Sequence, residues 1–203
     1  MADLRIETFS GPAMTGLLPA LSRLRMAVFR DWPYLYDGDL AAEEEYLADF
    51  VAAASAGLVV AFDGGSPVGC ATCVRLAEED GGLRAPFEAA GIDPARVFYF
   101  GESVLLPAYR GQGTGVAFFA AREAHARRVA ACDYAAFCAV IRPPDHPLRP
   151  AGHVPLDAFW RKRGFTPYPS LVCSMDWQQV DGTGEVRNRL SFWLKSLSGV
   201  ALP

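Results

Sequence analysis

Residues 105–119, LLPAYRGQGTGVAFF, run from an apolar strand-like pattern through Pro107 and three alternate glycines into an alanine- and phenylalanine-rich stretch. A glycine loop between a strand and a helix lets backbone amides approach an anion closely, and the helix dipole adds a favourable field. Spacing separates the phosphate-binding loops of this kind. A P-loop needs GxxxxGK followed by Ser or Thr, because the Lys and the hydroxyl hold phosphate and magnesium, and this stretch has no such Lys. A dinucleotide fingerprint needs a third glycine where this chain has Phe118, and no early βαβ unit surrounds the loop. Arg110-x-x-Gly113-x-Gly115 remains, a loop suited to pyrophosphate, against the plainer reading of a glycine-rich turn.

The 203 residues fit one domain, with residues 77–96 as an insertion before the strand that leads into the loop. Hydrophobic residues make up 51% and charged residues 21%, the balance of a globular protein. A net charge of -4 argues against a nucleic-acid partner, which would favour a basic face. The opening MADLRIETFS lacks the layout of a secretory signal, and the longest nearly apolar run, Phe50 to Phe62, is broken by Ser55 and Gly57. It falls short of the roughly 20 residues of a membrane helix, so no membrane partner and a cytoplasmic location are expected. Five cysteines in apolar stretches suit reduced core thiols. Cys70 and Cys73 form a CxxC, but a strand would point them to opposite faces and no second pair completes a metal site, so no metal is expected.

Leu4, Ile6 and Phe9 predict a first strand, and Leu17, Leu18, Leu21, Leu24 and Val28 fall at helical spacing. Residues 41–56 open on Glu43, Glu44 and Glu45 and predict a second helix. Residues 58–62 and 67–76 predict a hairpin across DGGS, and 84–96 a short helix and loop. A strand over 97–106, a helix over 115–131, a strand over 134–141 and a short helix over 156–163 follow, the last after the proline-rich RPPDHPLRPAG. Residues 171–180 and 190–195 close the chain as a hairpin across DGTG. The class is α/β (α+β), a mixed sheet flanked by helices.

With VLLPAYR before the loop and FWRKRGF at residues 159–165 after the next strand, the chain resembles the GNAT superfamily of acyl-CoA-dependent N-acyltransferases, whose Q/R-x-x-G-x-G/A motif matches Arg110, Gly113 and Gly115. The resemblance implies a mostly antiparallel sheet of about seven strands, splayed at the strand before the pyrophosphate loop. It implies acetyl-CoA as co-substrate without a metal, and transfer of its acetyl group to a primary amine by direct attack. Ser103, Val104 and Leu105 would pair with the pantetheine arm, while Arg110, Gly111, Gln112, Gly113, Thr114, Gly115 and Val116 would hold the pyrophosphate. An amide near Val104 or Leu105 would polarise the thioester carbonyl.

Glu102, a carboxylate in an apolar strand, is the candidate base, with a pKa raised by partial burial; the alternative is an edge charge facing solvent. Where the family often has a general-acid Tyr this chain has Trp160, whose indole cannot yield a proton to a thiolate. Tyr168, a water or unassisted departure of the thiolate would then serve. His153, at a position where the family often places an Asn, would bond the pantetheine or act as base or acid. Asp31, Trp32, Tyr34 and Tyr36 between the first two helices suit a cationic amine, against the reading of a turn-rich connection. Arg122, Arg127 and Arg128 are candidates for the CoA 3′-phosphate or a solvated helix face. The expected partner is a small-molecule amine, with a homodimer left open. A non-catalytic CoA-binding module and a protein N-acetyltransferase are the alternatives, the latter expected to carry an open groove.

Overall fold

The structure, a computed structural model, describes residues 4–182 and 184–203. The chain runs β1 (Leu4–Phe9), α1 (Leu18–Phe29), α2 (Leu40–Ala52), β2 (Gly57–Asp63), β3 (Ser66–Arg75), α3 (Gly81–Ala89), β4 (Val97–Tyr99), β5 (Ser103–Leu105), α4 (Thr114–Val129), β6 (Tyr134–Val140), α5 (Asp157–Lys162), β7 (Thr166–Gln178) and β8 (Glu185–Ser196). The eight strands form one mixed sheet in the order β1-β2-β3-β4-β6-β8-β7, with β5 paired to β3. Among the described residues only β4 and β6 pair in parallel; the other pairs are antiparallel.

Alternation along each strand sorts side chains into two layers. Val97 and Tyr99 join Leu21, Leu24, Leu47, Leu83 and Phe87 under α1, α2 and α3, while Phe98 and Phe100 join Phe119 and Ala126 under α4. Cys70 and Cys73 separate in the same way, one into each core. The expected insertion carries α3, capped by Asp80, whose carboxylate accepts from Gly82 and Leu83 amides. No described helix is long and apolar enough to cross a membrane.

The strand expected over 97–106 is broken, and the break makes the site. Phe100 donates to the Ala136 carbonyl at 2.7 Å, and beyond it the chain turns from β6 toward β3, where Gly101 donates to Thr72 O and Thr72 to Glu102 O. Gly101 is required at this turn, because a Cβ there would stand 2.5 Å from Thr72 Oγ1. β5 then pairs with β3 alone, and Phe137 to Val140 of β6 pair with β8 alone, so the sheet opens as a wedge between β5 and β6. The last hairpin is longer than its apolar alternation indicated. β7 begins at Thr166 and shifts register between Tyr168 and Val172, around Pro169, which has no N–H to give the ladder.

Candidate active site

At the open end of the wedge, Gly111 and Gly113 take φ of 77° and 88°, and Gly113 caps α4 in the left-handed region that side chains resist. The first turn of α4 leaves amides without intrahelical acceptors, pointing out of the helix as a cradle for an anion. Side chains brace the loop: Arg110 Nε donates to Leu105 O at 3.0 Å, and Gln112 Nε2 to Ala108 O at 3.3 Å. Phe159 of α5 lies against Gly115, 3.3 Å from where a Cβ would be. Peptide alternation decides which groups of β5 face the wedge. Leu106 N–H and Glu102 C=O point to β3, so Val104 does too, while the amides of Ser103 and Leu105 face the open side. A free strand edge running into an amide cradle fits the pantetheine and pyrophosphate of acetyl-CoA.

Glu102 sits at the break, and its carboxylate is fully engaged. It accepts from the Arg25 guanidinium, from Thr72 Oγ1 and from Tyr46 Oη at 2.8 Å. Arg25 also holds Glu43 in a two-pronged contact, Nε to Oε2 at 2.5 Å and Nη2 to Oε1 at 3.3 Å. Burial alone would raise Glu102, but the Arg25 charge and the hydrogen bonds from Thr72 and Tyr46 outweigh it and hold the carboxyl below its ordinary range. This corrects the expected rise: the burial was foreseen and the buried counter-charge was not. Arg25 itself is raised, because Glu102, Tyr46 and Glu43 outweigh its desolvation.

A second carboxylate, outside the sequence-derived candidates, has the opposite character. Glu79, half-buried after β3, is pushed up to about 7 by desolvation and by the charges of Glu102 and Asp80. Its charge helps raise the phenols of Tyr46 and Tyr99, Tyr46 being the one that donates to Glu102. One carboxylate is fixed as an anion and the other is poised near neutrality, the pattern that separates acid–base roles within a site. Neither Arg25 nor Glu79 belongs to a motif. Arg25 did carry a signal, since it lies one helical turn after Leu21 on the buried stripe of α1.

The connection between α1 and α2 is tied down. Trp32 packs its ring against His146 at 5.1 Å and His153 at 5.9 Å between centroids. Tyr34 packs on Phe29 at 4.3 Å between centroids with the rings tilted, and the Tyr36 hydroxyl is pushed up to about 12 by burial and by the Glu43 carboxylate. Asp31 is exposed. Arg142 donates to Pro33 O at 2.7 Å and Tyr34 O at 2.8 Å, and Trp177 Nε1 donates to Tyr34 O at 3.1 Å. Tyr36 bridges Gln179, Asp37 donates to Gln178 O at 2.9 Å and Val180 to Leu35 O at 2.9 Å.

Other candidates land elsewhere. Tyr168 lies on the edge strand β7, separated from β6 by β8, and its hydroxyl donates to Pro203 O at 2.8 Å, so the structure does not bring it to Glu102. Trp160 packs between Phe137 at 5.0 Å and Trp193 at 5.1 Å as a core residue. Arg122 is buried between the rings of Phe100 and Phe119, at 4.6 and 4.7 Å, and reaches Glu102 O at 3.4 Å, a brace for the break rather than a solvated phosphate ligand. His153 lies in the loop after β6, beside Trp32.

The profile of the acetyltransferase (GNAT) family matches residues 21–165. No curated protein matches. Among solved structures, the chain is similar to a putative acetyltransferase, yncA, from Salmonella typhimurium with its cofactor acetyl-CoA (18% identity, 99% and 98% of the two chains, TM-score 0.55). It is also similar to ribosomal-protein-alanine N-acetyltransferase from Brucella melitensis (17%, 95% and 99%, TM-score 0.59) and to Arabidopsis thaliana NAA60 in complex with a bisubstrate analogue (12%, 95% and 99%, TM-score 0.58). At these identities the structures speak for the fold, and the profile, over most of the chain, speaks for the family. This protein therefore belongs to the GNAT acetyltransferases, acyltransferases that use acetyl-CoA.

Proposed function

We propose that the protein acetylates the primary amine of a small molecule, by direct attack of the amine on the thioester of acetyl-CoA. The observation that carries the small-molecule reading is the pinned α1–α2 connection: backbone ties from Asp37 to Gln178 at the end of β7, and from Tyr36 and Leu35 to Gln179 and Val180 just beyond it, hold it closed where an open groove would be expected for a peptide. Relatives that act on proteins share the fold, so the acceptor has to be read from this connection rather than from the resemblance.

The thioester carbonyl would lie beside β5, where the outward amide of Leu105 donates to its oxygen as charge develops. The amine nitrogen bonds to the carbonyl carbon, the carbon–sulfur bond breaks, and CoA leaves as a thiolate. The ammonium gives one proton to Glu79 before the nitrogen attacks, and the second proton that the nitrogen loses as the amide forms passes through water toward the departing thiolate. Glu102, held ionised by Arg25, draws the ammonium without taking its proton. Neither Trp160 nor Tyr168 is available to the sulfur, so a water protonates the thiolate or it leaves unassisted, as its low basicity permits.

A panel of small amines and of short peptides with free N-termini, followed by mass of the acetylated product, tests the reading. Small amines should be acetylated and peptides should not. Turnover confined to peptides would sink the small-molecule reading, and acetyl-CoA binding with no turnover of any amine would leave a CoA-binding module. Mass detection also avoids thiol reagents, which five free cysteines would confuse.

A further inference from the structure

We propose that the pocket inside the loop between β6 and α5 holds an oxyanion of the acceptor, so that the molecule acetylated is an acidic amine, an amino acid or an aminophosphonate. This rests on the small-amine reading above and adds the substrate class.

The pocket has a volume of about 370 Å³, and its side-chain functional groups are Asp145, His146, Arg149 and His153. That size suits part of a small ligand. Donors dominate the lining. His146 Nδ1 accepts the Leu148 amide at 3.2 Å, which assigns the ring proton to Nε2 and makes that nitrogen a donor. The Arg149 guanidinium gives one N–H to Pro144 O at 2.9 Å, and among the described residues it has no ion-pair partner. Trp32, beside the pocket rather than in its lining, packs against both imidazoles, and its Nε1 is buried without a hydrogen-bond partner among the described residues. Asp145 is the one carboxylate in the lining. A carboxylate or phosphonate would satisfy several of these donors at once, with charge assistance from Arg149.

The loop is also in the right place. It leaves the open arm of β6 after Val140 and ends at α5, whose Phe159 packs on Gly115 of the cradle, so it connects the open side of the wedge to the cradle. Arg142 and Trp32 lock it to the α1–α2 connection. At the break in the sheet the charge is reversed: Glu102 sits there as a buried carboxylate, and its charge is felt by Glu79. An acceptor with an ammonium at one end and an acid at the other matches both ends.

Two measurements test this, and they fail separately from the acetyl-transfer reading. The chain has three histidines, and His125 is buried on the sheet-facing side of α4. At constant pH, titration with inorganic phosphate or propionate should shift the imidazole resonances of His146 and His153 and leave those of His125 in place. Arg149→Gln should weaken that binding about tenfold or more, the worth of a charged hydrogen bond. Arg149 is exposed, so the variant should fold. In turnover, α-amino acids should exceed their own carboxamides about tenfold or more in kcat/KM, and the ratio should fall toward one in Arg149→Gln. Aminomethylphosphonate as a third arm separates carboxylate from phosphonate recognition. Unmoved imidazoles, carboxamides used as well as acids, or a preference that survives Arg149→Gln would each overturn the proposal. Imidazole shifts with no amine acetylated would keep the anion pocket and discard acetyl transfer.

Discussion

A carboxylate in an apolar strand is costly unless a counter-charge answers it, and at Glu102 the answer comes from Arg25 of α1, 77 residues away in sequence. Replacing Arg25 by Met strands Glu43 and Glu102 together. The loss should be about 3–5 kcal/mol, the usual result of breaking a buried pair, or on the order of 10 °C in Tm for a chain of this length. Because Glu102 is lowered in the folded state, its contribution is present above the ordinary carboxylate range and is lost as pH falls through the folded value. The gap between Arg25→Met and the parent protein should therefore narrow on acidification. Glu79 makes the complementary prediction. With its pKa near 7, kcat should rise through about pH 7, and Glu79→Gln should lose that limb together with about a hundredfold in kcat. A pH profile with the same limb in the variant would assign the proton to another group. At this scale the sequence was legible only in part: Glu102 stood out as a charge in apolar company, while its sign of shift depended on Arg25 and Glu79 depended on the fold of residues 76–80, neither of which spacing encodes.

The element that matters most is the broken strand and the helix start it feeds. Alternation made residues 97–106 look continuous, because the break at Gly101 and Glu102 preserves an apolar run on both sides. What spacing did reveal was the loop, since Arg110, Gly113 and Gly115 fall at positions where backbone geometry limits the choice of residue. Gly113 is the sharper case: a Cβ there meets nothing within 4 Å, so the obstacle to a side chain is its φ of 88°. Gly113→Ala should therefore fold with a strain of about 1–2 kcal/mol and raise the KM for acetyl-CoA about tenfold, with a smaller effect on kcat. An equal fall in both would mean the loop serves the chemical step instead. The helix at Gly81–Ala89 was placed late in sequence because Pro86 and its glycines obscure the apolar spacing of Leu83 and Phe87.

Across the whole molecule, one splayed sheet brings distant segments to a single cleft: the free edge of β5, the cradle before α4, the pinned α1–α2 connection and the loop after β6. The order of elements was readable, and with it the family. The acceptor was not, because Trp32, Tyr34 and Tyr36 acquire their meaning from contacts with His146, Trp177 and Gln179, more than a hundred residues on. The measurement that tests this arrangement most directly is a crystal structure with acetyl-CoA bound. The pyrophosphate should rest on the amides of residues 111–116 and the pantetheine should pair with the outward groups of Ser103 and Leu105, with the acetyl carbon facing Glu79 and Glu102. A pyrophosphate held away from that loop, or an acetyl group facing the α4 side of the sheet, would contradict it.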